Sequence, residues 1–362
     1  MNPTALLHRA GQSLWLDNIT RDLLSSGRLR HYIDDLAITG LTSNPTIYDK
    51  AIGGSPAYDE AIREGAARGL DPEEIFFGLA LDDLTRAADL FRPIHERTGG
   101  VDGFVSLEVS PLLAYDTAAS TAEAGRLHAA AGRPNLFIKI PGTPEGLPAI
   151  EDSIAAGVPV NVTLLFSPEH YLAQAEAYTR AIERRVEAGL PAHVSSVASV
   201  FVSRWDTAVA GRVPDDLTNR LGVAIGSKAY AEYRRFFASD RWQRLLNVGA
   251  RPQRLLFGST GTKDPRASDV LYVEGLAAPH TVNTMPEETL LAFADHGRVG
   301  DLLPAEPGAT DAVLARFVAA GVDIASLGDE LQQKGAAAFV ASWSSLLGRI
   351  ADKVGEVTRA AT

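Results

Sequence analysis

The chain has 362 residues, 46% of them hydrophobic, which is enough to bury a large core and is ordinary for a globular protein. Its 34 Lys and Arg against 45 Asp and Glu give a formal net charge of −11, which opposes any sequence-independent grip on nucleic acid or on an anionic membrane. There is no cysteine, so disulfides and thiolate chemistry are excluded, and the eight histidines are scattered without a His-Glu-x-x-His pairing that would suggest a metal.

The first segment, "MNPTALLHRAGQSLWLDNIT", lacks the basic-then-apolar pattern of a secretion signal. The longest uncharged runs, such as residues 153–168, are too short and too polar to span a bilayer. A cytoplasmic protein with no membrane contact is expected. Strand-like runs come at 13–19, 40–45, 103–111, 135–142, 157–166, 193–203, 253–260 and 280–286, with amphipathic stretches between them. Eight strands alternating with helices predict a parallel sheet with crossover helices. Three helices are expected to open on Asp71-Pro72, Thr143-Pro144 and Ser167-Pro168, each followed by Glu. A capping side chain, a proline at the first helical position and an early carboxylate all favour a helix start. Extra helices are expected within about 45–98 and 204–249, and a helical region over about 307–357. With no linker-like break or internal repeat, residues 1–362 read as one decorated α/β domain.

Within the strands, residues of one parity face one side and the alternate residues face the other. Val105, Leu107 and Val109 oppose Ser106 and Glu108; Leu136, Ile138 and Ile140 oppose Phe137 and Lys139. Val158, Val160, Val162, Leu164 and Phe166 oppose Asn161 and Thr163, while Ala198, Val200 and Val202 oppose Ser199 and Phe201. Thr42 and Asn44 alternate with Leu41 and Ser43, and Asp17 with Leu14 and Leu16. One apolar face per strand suits an outer ring of helices. The other, polar late in the strand, suits the mouth of a closed (β/α)8 barrel, where catalytic groups gather at the C-terminal strand ends.

Lys139 sits in the apolar run "NLFIKIPG". Ammonium groups are almost never fully buried without a partner, so a structural pair with Glu108 or Asp17 is one reading. The other is a lysine tuned by desolvation and neighbouring charges to act as a nucleophile toward carbonyls. Polar groups at matching positions on the other strands favour the second. Schiff-base aldol chemistry requires such an amine, a carboxylic acid to shuttle protons, and a base for the hydroxyl beside the breaking bond; Glu108 and Asp17 are the candidates.

In order along the chain, "LTSNP", "FVSLEVSP", "IKIPGTPEG", "NVTLLFS", "SVFVSRWD" and "STGTKDP…YVEGLAAPHTVNTMPEETL" resemble the transaldolase family, in its longer bacterial and plant-like branch. The resemblance implies a (β/α)8 TIM barrel with additional helices that transfers a dihydroxyacetone unit from sedoheptulose 7-phosphate to glyceraldehyde 3-phosphate, without metal or cofactor. It implies small-molecule sugar phosphates as partners, no nucleic acid, no membrane, and a monomer or homodimer. Carried over by motif, Lys139 is the Schiff-base lysine, Glu108 the proton shuttle working through a water, and Asp17 the base for carbon–carbon cleavage. Thr42 and Asn44 match groups that orient the water and donor hydroxyls; Asn161 and Thr163 match the amide and hydroxyl lining the site. Ser199 matches a donor-hydroxyl contact, and Phe201 the aromatic that stands where smaller sugar aldolases tend to have tyrosine. Arg204, Ser259 and Lys263 match phosphate ligands. Val200 stands where some members have proline, and Lys263 where the shorter branch places arginine. A bare Arg204–Asp206 surface pair is the competing reading for that arginine. The competing functions are an aldolase releasing free dihydroxyacetone and a non-catalytic phosphosugar-binding barrel.

Overall fold

The computed structural model describes residues 2–306 and 308–360. Pro307, the expected start of the C-terminal helical region, lies outside the described residues, as do Met1 and residues 361–362. Eight strands form: β1 (Gln12–Asp17), β2 (Ile38–Thr42), β3 (Val105–Glu108), β4 (Leu136–Pro141), β5 (Val160–Leu165), β6 (Ser196–Phe201), β7 (Arg254–Gly258) and β8 (Thr281–Met285). Each expected run contains one or overlaps it. All pairings are parallel, in the order β2-β1-β8-β7-β6-β5-β4-β3. The free edges meet through two backbone bonds, Leu41 N–H to Phe104 O at 3.0 Å and Gly103 N–H to Thr39 O at 3.0 Å. The result is a TIM barrel ringed by helices.

The alternation holds along most strands. Leu136, Ile138, Ile140, Ala198 and Val200 join the main core between barrel and helices, whereas Trp15, Phe104, Phe137, Val197, Leu256 and Val282 plug the barrel's lower interior. Gly40 fits this crowded plug because a Cβ there would lie 2.6 Å from Phe104 O and 2.7 Å from the Trp15 ring. The expected parity fails late in β5. Leu164 takes a left-handed φ of 59°, and the register with β6 shifts between Val162 and Leu165. An extra residue of this kind is a bulge, which re-aims everything after it. Leu165 therefore faces the helices, while Leu164 and Phe166 turn into a second apolar cluster with Phe201 and Trp205.

Helix starts obey the capping chemistry with two adjustments. Asp71 and Glu74 form a reciprocal capping box at the helix Pro72–Arg97, and Ser167 caps Pro168–Glu187. At Thr143 the hydroxyl does accept from the Gly146 N–H, at 3.0 Å, but it also donates to Ala114 O, and regular helix begins only at Gly146. Within the 204–249 stretch, regular helix resumes only at Leu221, where the N–H groups of Leu221 and Gly222 donate to the buried Asp206 carboxylate.

The C-terminal helix Ile324–Ala360 runs across the barrel. Trp343, Leu346 and Ile350 pack into the main core, with the Trp343 ring 4.9 Å from Phe76 and 5.7 Å from Phe77. Leu327, Leu331, Ala336 and Phe339 pack into the second cluster over the ends of β5 and β6. Among the described residues, no helix is long and apolar enough to cross a membrane.

Candidate active site

At the C-terminal ends of the strands lies a cavity of about 320 Å³, lined among others by Asp17, Thr42, Asn44, Lys139, Thr163, Ser199, Phe201, Arg204, Ser259 and Lys263. The sequence-derived candidates thus converge, although they come from several different strands and loops. Glu108 and Asn161 are not on its surface but directly behind it. The mouth lies where a β/α barrel presents catalytic groups.

Lys139 is 4% exposed, and its Nζ donates to Glu108 Oε2 and to the Ser43 carbonyl, both at 3.0 Å. The parallel register sets Glu108 opposite Lys139 on β3 and β4 and Asn161 opposite Lys139 on β5. Burial pushes the Glu108 carboxyl above the ordinary range, against the pull of Lys139. The same contest raises Asp17: burial outweighs the attraction of Lys139, the Thr42 hydrogen bond and the more distant Lys263. Two carboxylates and one amine buried around a single pocket are the setting in which protons are exchanged readily between partners.

The polar side chains around this trio hold one another. Thr42 Oγ1 lies 2.7 Å from Asp17 Oδ1 and 2.7 Å from Thr284 Oγ1. Ser199 Oγ donates to Asn161 Oδ1 at 2.7 Å, and Asn161 Nδ2 donates to Ser106 Oγ at 3.1 Å, which fixes the amide orientation. Asn44 does double duty: its Oδ1 accepts from Ile47 N–H and caps the helix Pro45–Gly54, so its NH₂ is the group left for the cavity. Glu108 Oε1 and Thr163 Oγ1 are buried without a hydrogen-bond partner among the described residues.

Arg204 stands across the cavity. Its guanidinium carbon lies 5.9 Å from the Phe166 ring centroid and 5.4 Å from that of Phe201. The competing Arg204–Asp206 pair does not form, because Asp206 is occupied by Leu221, Gly222 and the Tyr272 hydroxyl. Burial makes the charged guanidinium less favourable, lowering its pKa from the usual arginine range. Ser259 adopts a left-handed φ of 55°, uncommon for a residue with a side chain, and its Oγ lies 2.8 Å from Ser203 Oγ. Lys263 is exposed at the rim. Among the described residues, no group of three or more His, Asp or Glu side chains is placed to hold a metal ion.

Several lining residues escaped the sequence reading: Thr46, Lys50, Thr284, Glu288 and Phe339. Thr284 was within reach, because it comes two residues after Val282 on the inward parity of β8. Thr46, Lys50 and Glu288 come from helices above the mouth, and Phe339 from the C-terminal helix, 5.9 Å from Lys139 Nζ. No strand periodicity announces them.

The family model described as Transaldolase/Fructose-6-phosphate aldolase matches residues 14–350. Among curated relatives, a transaldolase of Parafrankia sp. is 44% identical, with 98% of both chains covered. A transaldolase of Acidothermus cellulolyticus is 46% identical over 95% of each chain, and one of Mycobacterium bovis 44% over 96% of each. With a barrel, a buried lysine between two carboxylates and full-length relatives of this kind, the chain belongs to the transaldolase/fructose-6-phosphate aldolase family.

Proposed function

We propose that this chain is a transaldolase acting in the pentose phosphate pathway: it takes a dihydroxyacetone unit from sedoheptulose 7-phosphate and gives it to glyceraldehyde 3-phosphate, leaving erythrose 4-phosphate and fructose 6-phosphate. The observation that carries the reading is the buried Lys139 amine, held by Glu108 and facing a cavity that also exposes Asp17 and an arginine without a carboxylate partner among the described residues. To attack a carbonyl the amine must shed a proton, and Glu108, whose proton affinity is raised by burial, is positioned to receive it.

In this reading Lys139 Nζ adds to the donor C2 carbonyl. Glu108, relaying through a water held with Thr163, protonates the departing hydroxyl so that the carbinolamine loses water and becomes an iminium. Asp17 then removes the proton from the C4 hydroxyl. The C3–C4 bond breaks, its electron pair flows into the iminium, and erythrose 4-phosphate leaves. The enamine that remains on Lys139 attacks the aldehyde carbon of glyceraldehyde 3-phosphate, and Asp17 returns the proton to the new alkoxide. Hydrolysis through Glu108 frees fructose 6-phosphate. Thr42, Asn44, Asn161 and Ser199 orient the donor hydroxyls, and Phe201 walls the cavity beside them. Arg204, Ser259 and Lys263 cradle the phosphate, a local positive site in a protein whose overall charge of −11 repels it. Such chemistry fits a cytoplasmic setting.

Borohydride reduction in the presence of fructose 6-phosphate, read by intact mass and peptide mapping, tests the mechanism. One dihydroxyacetone-sized adduct on the Lys139 peptide is expected; a label elsewhere, or none in active enzyme, rejects it.

A further inference from the structure

We infer that the C-terminal helix sets the preference for phosphorylated substrates, with Gly335 as the positioning residue that lets the Arg204 guanidinium face the cavity. This rests on Arg204 being the phosphate ligand.

Four residues on one face of the helix Ile324–Ala360 meet the barrel mouth: Gly328, Gln332, Gly335 and Phe339, spaced four, three and four residues apart. Gln332 is buried, and its Nε2 donates to Gly142 O at 3.0 Å and Leu164 O at 2.9 Å, which pins the helix to the ends of β4 and β5. The Leu164 carbonyl belongs to the bulged residue, so the β5 irregularity and the helix position are one construction. Gly328 sits against Ser167 and the Trp205 ring, where a methyl group would lie 3.3 and 3.4 Å from them. At Gly335 a methyl group would lie 3.0 Å from Leu164 Cδ2, 3.2 Å from an Arg204 Nη and 3.3 Å from Phe166 Cε2. By contrast, a methyl group on Gly348 of the same helix would meet nothing within 4 Å among the described residues beyond its own helix backbone.

Glycine is a poor helix former, so Gly335 in the middle of a long helix needs a local reason, and close approach to Arg204 supplies one. Arg204 is unusually sensitive to such a wall. Two phenylalanine rings flank its guanidinium, and it forms no hydrogen bond or ion pair with any other described residue. Side-chain packing, with Gly335 closing one side, decides where its donors point. Phe339, one helical turn further on, lines the same cavity beside Lys139.

The experiment compares Gly335→Ala, Arg204→Ala and the double variant, using inorganic phosphate as a competitive inhibitor and fructose 6-phosphate and unphosphorylated fructose as donors. Gly335→Ala should melt close to the wild-type temperature, since the helix preference of alanine offsets the crowding against Leu164 and Phe166. It should raise the inhibition constant of phosphate and the KM for fructose 6-phosphate about tenfold, the effect of roughly 1.4 kcal/mol. kcat/KM for fructose should stay unchanged. In the Arg204→Ala background Gly335→Ala should add nothing, because the group it displaces is gone. Equal losses with both donors, a lowered melting temperature, or an undiminished effect in the double variant would overturn the proposal. If Arg204→Ala abolishes phosphate inhibition while Gly335→Ala changes nothing, only the helix inference fails. If Arg204→Ala leaves phosphate inhibition intact, the assignment of Arg204 fails, and the helix inference fails with it.

Discussion

The two ends of the barrel each bury carboxylate and cation together, with opposite results. At the N-terminal end, Asp102 is 4% exposed and accepts from Trp15 Nε1 at 2.9 Å, from Gly103 N–H at 3.0 Å and from the Ser13 hydroxyl. Arg254 lies 3.9 Å from it and donates to Ser13 Oγ and to the Thr281 and Val101 carbonyls. Both charged groups are held by several partners within a rigid aromatic plug. At the C-terminal end, Glu108 and Asp17 are held above their ordinary pKa, one Glu108 oxygen has no protein partner, and Arg204 has no counter-ion among the described residues. Satisfied polar networks rigidify a fold, whereas incompletely satisfied ones store reactivity. The lower end is built for stability and the upper end for chemistry.

The sharpest break between the ends is expected from Lys139→Met. Turnover should fall to background and borohydride trapping should vanish, while the chemical denaturation midpoint stays near wild type, because burial already favours the neutral form of Glu108, which needs no cation beside it. A destabilised Lys139→Met protein would place the upper pair on the same footing as the lower one. Next, Asp17→Ala should still form the imine with donor yet cleave it ~10²–10⁴-fold more slowly, the usual worth of a positioned base. Single-turnover kinetics at the normal rate would remove Asp17 from that role. Arg204→Ala should cost about 2–5 kcal/mol in kcat/KM for phosphorylated substrates and little for unphosphorylated fructose. Equal losses would make the arginine structural. Asp102→Ala inverts the pattern: a stability loss of roughly 3–5 kcal/mol in urea melts, from orphaned buried donors and an unpaired Arg254, with kcat/KM of the surviving folded protein near wild type.

The smallest effect concerns pH. Because the folded-state pKa of Asp17 is raised above 3.8, the native protein binds more protons than the unfolded chain between 3.8 and that raised value. Its contribution to stability therefore falls as pH rises through this window. Asp17→Asn should remove that decline, and the stability difference between variant and wild type should shrink to a constant below pH 3.8. Donor cleavage runs the other way and should rise with pH as the Asp17 base ionises. A cleavage profile with no acid limb above 3.8 would contradict the assignment.

The sequence revealed the upper end well where one rule governed it. Strand alternation sent Lys139, Glu108, Asp17, Thr163 and Ser199 to the interior, because period two is a local property of the backbone. It failed at Leu164, where one left-handed residue reverses the parity of Leu165 and Phe166 and no glycine marks the spot. It was silent on Lys50, Glu288 and Phe339, since which distant helix overlies a barrel mouth depends on tertiary packing. Asp206 shows a related limit: close to Arg204 in the sequence it suggested an ion pair, yet it faces away and caps the helix Leu221–Phe237. The Asp102 plug also went unseen, because its partners Ser13, Trp15 and Arg254 are brought together only by ring closure.

The long helix at the end of the chain has a consequence for vectorial synthesis. All eight strands have been made before Ile324 emerges, so the ring can close while Phe76 and Phe77 still lack Trp343 and the cavity still lacks Phe339. Until this helix docks through Leu327 to Ile350, the nascent barrel carries an aromatic surface that an apolar neighbour can occupy. A chain made only as far as residue 323 is therefore expected to lack both the Phe339 wall of the cavity and the Trp343 cover over Phe76 and Phe77.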